Sequence, residues 1–220
     1  METKKKSKNL KTDVNMLAAY REYVLTEGRR PATVFKFCKE IGISEGEFYQ
    51  QYASFEALEK SIWAYYITDT RTRMEADEAY LKFSAREKIL TFYFMLAEAL
   101  KADRSFVLAQ LSSIKTPAIT PVFLRAFKSA FEEWVNGVLA EGKSTGEIAK
   151  RPYIENQYVS LFWLHMMFVL QFWTHDESVG FEKTDIAIEK SVTLAFDLIG
   201  KGVLDNALDF GKFLYQHSKN

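Results

Sequence analysis

Polar residues able to read nucleic-acid bases are concentrated in the stretch TVFKFCKEIGISEGEFYQQY, residues 33–52. Glu45, Glu47, Gln50 and Gln51 follow one another closely there. A glutamine side chain can pair with adenine, and a glutamate can accept a hydrogen bond from cytosine. No histidine stands beside the two carboxylates to make an acid–base pair. The residue types therefore indicate recognition of base edges rather than catalysis.

Two short helices must position these side chains. Apolar residues recur at helical spacing before and after a Gly42-Ile43 break, at Val34, Phe37, Cys38, Ile41, Phe48 and Tyr52. Ser44 is placed to cap the second helix, and Glu47 three positions later completes a capping box. The stretch therefore predicts a helix-turn-helix, a motif whose second helix enters the DNA major groove.

Residue types typical of enzymes are sparse. The chain has one cysteine, Cys38, and three scattered histidines, His165, His175 and His217. It has no Gly-rich phosphate loop, serine-elbow motif or H-E-x-x-H motif. We therefore predict no enzymatic activity, no cofactor and no metal site. The single cysteine suits a reduced, cytoplasmic setting.

Charge is balanced overall, with 29 basic and 29 acidic residues, so no global positive field attracts nucleic acid or a membrane. Residues 1–12 contain five lysines and one glutamate, which predicts a flexible basic tail. Residues 13–60 contain six basic and eight acidic residues, a net charge of minus two. Any attraction of this segment to DNA must therefore be local.

Helical periodicity continues along the rest of the chain, without strand alternation or repeats. On either side of residues 33–52, the patterns predict a helix over residues 13–27 and another that begins after Ser54. The second helix is expected to end near Tyr80, and its buried stripe is Phe55, Leu58, Ile62, Tyr65 and Tyr66. Further helices are predicted after the Ser84–Glu87 capping box, over 104–114, after Thr120-Pro121, across 161–173, over 185–199 behind Thr184, and over 204–217. Residues 142–150 are interpreted as a polar loop. The apolar run 161–173 is too short to span a membrane. The fold class is therefore predicted to be all-α.

Residues 33–58 resemble the helix-turn-helix of the TetR family of bacterial transcriptional regulators. The residues that match the family pattern are Thr33, Phe37-Cys38, Gly42-Ile43-Ser44, Gly46, Phe48-Tyr49, Tyr52, Ser54, Glu56 and Leu58. The match covers about a quarter of the chain. The resemblance implies a TetR-like fold with a DNA-binding domain over 13–66 and a larger helical ligand-binding and dimerisation domain over 67–220.

The resemblance also implies partners. These are a second copy of the chain, paired through two helices near the C-terminus, operator DNA, and a small apolar or amphipathic effector. No membrane partner is implied. The residues expected to meet DNA are Thr33, Lys36, Ser44, Glu45, Glu47, Tyr49 and Gln50. The residues expected to line an effector pocket are Phe92, Phe127, Phe131, Trp134, Trp163, His165 and Met167. As alternatives, these aromatic residues are core packing and His165 is hydrogen-bonded within the core or across a dimer.

Three departures from the family pattern weaken the expected grip on phosphate. Glu45 and Glu47 stand where the family carries non-acidic residues, and Phe55 replaces a lysine that grips a phosphate. Glu45 and Glu47 also suit a helix N-terminus for stability alone. A second hypothesis is therefore a TetR-fold protein that no longer binds DNA. It would resemble the lipid-binding proteins of ubiquinone biosynthesis and act as a ligand-binding or adaptor dimer.

Overall fold

The computed structural model describes residues 16–112, 120–151, 154–200, 202, 210, 213–214 and 216–217. Regular structure in these ranges is entirely helical, so the all-α prediction is confirmed. The α-helices are α1 (residues 16–27), α2 (Val34–Ile41), α3 (Glu45–Gln51), α4 (Phe55–Glu75), α5 (Ala85–Ala102), α6 (Arg104–Leu111), α7 (Arg125–Thr145), α8 (Tyr158–Thr174) and α9 (Glu182–Ile199). Short 3₁₀ helices cover Glu78–Lys82, Val122–Leu124, Glu155–Gln157 and Val179–Phe181. None of the described helices is both long enough and apolar enough to cross a membrane. The predicted tail over 1–12 and most of the predicted helix over 204–217 lie outside the described residues.

The chain packs as two compact units, which we call the N-terminal unit and the C-terminal unit. The N-terminal unit comprises Met1–Ile67 and Leu100–Phe127, and the C-terminal unit comprises Thr68–Ala99 and Lys128–Asn220. Helix α6 therefore belongs to the unit that contains the helix-turn-helix. The domain boundary between residues 66 and 67 stays a prediction.

An aromatic cluster forms the core of the N-terminal unit. The Phe37 ring lies 5.9 Å from Tyr20, 6.3 Å from Phe48 and 5.6 Å from Phe55, centroid to centroid. Edge-to-face contacts of this kind add stability beyond the area they bury. Phe55 is only 8% exposed, so the position where the family carries a phosphate-gripping lysine belongs to the core here. Tyr65, predicted in the same buried stripe, is 46% exposed.

Two helix ends differ from the sequence-based expectation. Helix α4 ends at Glu75 rather than near Tyr80, because Asp77 accepts a hydrogen bond from the Ala79 amide (2.9 Å) and caps a 3₁₀ helix instead. Near residue 120, Pro121 rather than Thr120 is the N-cap residue, and it precedes a 3₁₀ helix that leads into α7.

The loop interpreted over residues 142–150 is shorter and less polar in its surroundings than predicted: residues 142–145 belong to α7, whereas residues 146–150 are non-helical. Helix α7 continues to Thr145, and Ile148 is 1% exposed. Gly142 allows a close approach of its neighbours: a β-carbon there would lie 2.7 Å from Ile148 Cδ1 and 2.9 Å from Ala85 Cβ. The Glu147 carboxylate then accepts hydrogen bonds from the Ala85 and Arg86 amides and caps α5.

Helix α9 begins at Glu182, before Thr184, so the predicted role of Thr184 as N-cap is wrong. The buried carboxylate of Asp176 accepts hydrogen bonds from the Thr184 amide (2.8 Å) and hydroxyl (2.7 Å), and from the amide and hydroxyl of Ser178. Burial would raise the pKa of Asp176, but these four bonds outweigh it and hold the pKa well below its usual range. A distant carboxylate therefore organises the start of α9.

Candidate DNA interface and effector core

Helices α2 and α3 form the helix-turn-helix through capping interactions that the local sequence supplies. Thr33 is the N-cap of α2, and its Oγ1 accepts a hydrogen bond from the Lys36 amide (3.1 Å). Gly42 ends α2 in the left-handed region at φ 75°, where glycine is favoured. The Ile43 amide then bonds back to the Cys38 carbonyl (2.9 Å). The turn that orients α3 is therefore built from the predicted residues.

The capping box at the start of α3 is confirmed. The Glu47 amide donates to Ser44 Oγ (3.2 Å), and Glu47 Oε2 accepts from both the Ser44 amide and the Ser44 hydroxyl, each at 2.9 Å. The hydroxyl hydrogen of Ser44 is thus used inside the cap. Glu45 and Glu47 occupy the first turn, where negative charge is favourable to the helix.

The outer surface of α3 presents Glu45, Tyr49 and Gln50. All three are exposed, and Tyr49 keeps 53% of its surface accessible while one edge of its ring packs on Phe48. Gln51 differs from its expected groove-facing position, because it is half-buried and its side-chain oxygen is buried without a partner among the described residues. The surface available for base contacts is therefore narrower and more acidic than the sequence alone indicates.

Two of the six basic residues near the motif are committed to the fold. The Arg30 guanidinium binds Glu56 and Glu59, with 2.6 Å between Nη2 and Glu59 Oε2. Glu59 is 5% exposed and also accepts the Tyr20 hydroxyl at 2.5 Å, and burial together with this carboxylate raises the pKa of Tyr20. Arg21 pairs in the same way with Asp103.

The remaining bases include an exposed group of three, Arg29, Lys36 and Lys39, which make no ion pair within the described chain. Lys36 and Lys39 both lie on α2. Exposed cations that can meet a phosphate backbone therefore lie on α2 and just before it, while α3 carries the acids.

The predicted effector residues do not form one group. Phe127 lies in the N-terminal unit with its ring 5.7 Å from Trp63. In the C-terminal unit, Phe92 stacks on Trp134 with 4.2 Å between centroids, and Phe131 lies 6.2 Å from Trp163. The structure thus brings together four of the seven side chains, those of Phe92, Phe131, Trp134 and Trp163. Met167 is half-buried on α8.

His165 is half-buried and hydrogen-bonded within the C-terminal unit, and it also borders an apolar groove. Its Nδ1 lies 3.1 Å from the Tyr93 hydroxyl, and its Nε2 lies 2.8 Å from Ser191 Oγ. Burial lowers the pKa of His165 to about 4, so the imidazole is neutral at pH 7. Both ring nitrogens have protein partners, which favours a structural role over contact with an effector.

Two buried donors that sequence reasoning did not connect lie in the same unit. The Thr70 hydroxyl and the Trp134 indole nitrogen are buried, and neither has a hydrogen-bond partner in the part of the chain described. Trp134 was already a candidate as an aromatic residue, but Thr70 was not. Its only sequence signal is its place on α4 two turns after the buried Trp63.

Helices α8 and α9 expose apolar side chains. On α8 these are Leu161, Leu164, Phe168 and Phe172, and on α9 they are Ile186, Leu194 and Leu198. A groove of about 470 Å³ with an almost wholly apolar lining includes Leu161, Phe162 and Leu198. Spacings of three and four residues on α8, and of eight and four on α9, place each set on one side of its helix.

Residues 88–214 match the model of the family described as "Tetracyclin repressor-like, C-terminal domain". The chain belongs to the TetR family. The match lies in the C-terminal part, whereas the sequence resemblance lies in residues 33–58, so two separate segments agree. TetR regulators are transcription regulators without enzymatic activity, which confirms the absence of a catalytic function.

A solved structure shares this fold: the fatty acid degradation regulator FadR from Bacillus halodurans. It aligns with a TM-score of 0.52 and 16% sequence identity, covering 86% of this chain and 97% of that protein. Comparison with curated protein sequences finds no match. At this identity, the structural likeness shows a shared fold and nothing finer.

Proposed function

We propose that the chain is a ligand-responsive TetR regulator that acts in the cytoplasm and binds operator DNA as a homodimer. The observation that carries this proposal is the helix-turn-helix, whose capped second helix leaves Glu45, Tyr49 and Gln50 exposed. Thr33 accepts the Lys36 amide and keeps its own hydroxyl hydrogen for a phosphate oxygen. Lys36 and Lys39 supply cations next to it.

The homodimer is supported by the exposed apolar faces of α8 and α9. Leu161, Leu164, Phe168 and Phe172 share one face of α8, where a single chain leaves them in water. Burial of such surface contributes about 25 cal/mol for each Å² removed from water. A second copy offers a face of the same composition, so the two pairs of helices would form a four-helix bundle.

The effector response is supported by the C-terminal unit, whose aromatic core includes Phe92, Phe131 and Trp134. An apolar or amphipathic ligand that favours one spacing of the two recognition helices would change operator affinity. Such coupling requires only that the ligand bind the two arrangements unequally.

One observation favours a second function. The acids Glu45 and Glu47 lie on α3, and Arg30 is held by Glu56 and Glu59, so little positive charge remains for the DNA backbone. The second candidate is therefore a TetR-fold dimer that binds a lipid or small molecule, or acts as an adaptor, without binding DNA.

Fluorescence anisotropy with labelled DNA from upstream of the protein's own gene separates the two. The regulator should bind at about 50 mM salt and weaken at about 200 mM, with a shallow salt dependence because few cations are available. Absence of binding at the lower salt concentration would reject the DNA-binding function and favour the second candidate. Light scattering on the same sample measures whether the protein is a dimer.

A further inference from the structure

We propose that the C-terminal unit recognises a neutral hydrogen-bond acceptor on its effector, an ester or ketone oxygen, through the Thr70 hydroxyl and the Trp134 indole N–H. This inference rests on the proposed ligand-responsive function and names the chemical class of the ligand. It follows from two buried donors for which the described part of the chain supplies no acceptor.

Thr70 lies on α4 and is fully buried. A threonine inside a helix commonly donates its hydroxyl to the carbonyl four residues earlier. Thr72, on the same helix, does so, with 2.8 Å between its Oγ1 and the Thr68 carbonyl oxygen. Thr70 makes no such bond to any described residue. Because a buried hydroxyl without a partner is unfavourable, this position calls for an acceptor from outside the chain.

Trp134 lies on α7 and is 5% exposed. Its ring stacks on Phe92 with 4.2 Å between centroids and 29° between planes, which restrains the indole. The indole nitrogen is buried and has no acceptor within the described ranges. An indole N–H can only donate. Any group that satisfies it must therefore carry a lone pair, and a hydrocarbon cannot.

A cleft next to these helices provides room for a ligand. The cleft has a volume of about 230 Å³. It is lined by Arg71, which follows Thr70 on α4, and by Trp134, Gly137 and Val138 of α7. Helices α4 and α7 thus both border the cleft: Trp134 lines it directly, and Thr70 is buried one residue before Arg71, which lines it. The Trp134 side chain both lines the cleft and stacks on Phe92, which is itself fully buried.

The charges around the cleft favour a neutral ligand over a carboxylate. Glu133 and Glu141 line it, and its cation, Arg71, pairs with Glu75 at 3.3 Å. Lys88 is held by Glu141 at 2.6 Å. A carboxylate would therefore meet like charge and find no cation without a partner in the described lining. A neutral oxygen accepts from Thr70 and Trp134 without that cost.

Thermal unfolding of the full-length protein with methyl esters from hexanoate to dodecanoate tests the assignment, with free acids and alkanes of matched length as comparisons. We expect the best ester to raise the melting temperature more than its acid or alkane. Thr70→Val and Trp134→Phe should each weaken ester binding about three- to tenfold, the usual effect of one lost neutral hydrogen bond. Thr72→Val is the matched control and should bind as the wild type does.

Melting without a ligand gives a second readout. Thr70→Val should melt at the same temperature as the wild type or higher, because it removes an unpaired buried hydroxyl. A lower melting temperature would mean that Thr70 has a partner in the folded chain and would overturn the assignment. Equal binding by Thr70→Val and the wild type, equal stabilisation by the alkane, or no response to any ester would also overturn it. The variants should keep any DNA binding, so loss of this site is distinguishable from failure of the regulator function.

Discussion

Helices α3 and α8 expose opposite chemistry. The surface of α3 carries Glu45 and Glu47 on its first turn, where they stabilise the helix through the capping box and the helix dipole. The surface of α8 carries Leu164 and Phe168, which are 64% and 48% exposed. Exposure of these apolar side chains to water is unfavourable. The polar surface is explained by the folding of one chain, whereas the apolar surface is not.

This difference decides how much each helix reveals about a partner. Because every acid on the first turn of α3 has a role in the fold, its presence says little about DNA. An apolar stripe that is unfavourable in a single chain indicates a partner directly. The dimer proposal is therefore better supported than the operator proposal, and substitutions on each helix can test that ranking.

The largest effect is expected from Leu164→Glu. In a homodimer, the substitution places one unpaired carboxylate from each copy in an apolar interface, which costs several kcal/mol. We expect the dissociation constant to rise by at least about a hundredfold, so that light scattering reports the mass of one chain, 25.4 kDa.

Leu81→Glu is the matched control, because Leu81 is 80% exposed and lies on the 3₁₀ helix Glu78–Lys82 rather than on α8 or α9. It should leave the mass unchanged. If Leu164→Glu remained a dimer, the apolar face of α8 would not be the interface.

The next largest effect is expected from breaking the ion pair between Arg30 and Glu59 in the N-terminal unit. Arg30→Met leaves the buried carboxylate of Glu59 without its cation, and we expect unfolding free energy to fall by about 3 kcal/mol. Arg29→Met, one residue earlier and without an ion pair among the described residues, should change it by less than about 0.5 kcal/mol. Urea denaturation measures both. Equal losses would show that the fold does not depend on the pair between Arg30 and Glu59, which would leave Arg30 available for DNA.

A smaller effect distinguishes a core histidine from a ligand contact. The pKa of His165 is about 4 in the folded chain and about 6.5 when unfolded. The unfolded state therefore binds more protons than the folded state between these pH values. The unfolding free energy is highest above about pH 6.5, where His165 is neutral in both states, and it falls as the pH drops toward 4. Relative to His165→Gln, the wild type should lose about 3 kcal/mol over that range. His175→Gln, at an exposed site, should keep the wild-type profile. Parallel profiles for wild type and His165→Gln would contradict the burial argument.

The helix-turn-helix could be predicted because its signals are local. Gly42, Ser44 and Glu47 act on residues within a few positions, and the Ser84–Glu87 capping box likewise appears with 2.8 Å between the Ser84 amide and the Glu87 carboxylate. A cap requires only a short stretch of chain, so its residues are sufficient evidence for the structure.

The errors involve partners that are distant in sequence. The loop is predicted to begin at residue 142 rather than after Thr145 because nothing nearby shows that Gly142 packs against Ala85 and Ile148. The start of α9 was misplaced because its cap comes from Asp176, eight residues before Thr184. Thr70 was missed for the same reason: a missing hydrogen bond is a property of packing, which composition and periodicity do not carry.

The smallest effect, on α3, bears most directly on DNA. Glu45→Lys changes the charge of an exposed first-turn residue by two. If α3 lies against DNA, one new phosphate contact should raise affinity about tenfold at about 50 mM salt and steepen the salt dependence by about one counterion. Phe55→Lys is unsuitable, because Phe55 packs in the core and the substitution would unfold the unit.

Glu177→Lys, exposed in the C-terminal unit, is the charge-matched control and should gain much less. Equal gains would indicate nonspecific attraction. No gain from Glu45→Lys would mean that α3 does not meet the DNA backbone. The protein would then be better described as a dimer formed through α8 and α9 that does not bind an operator.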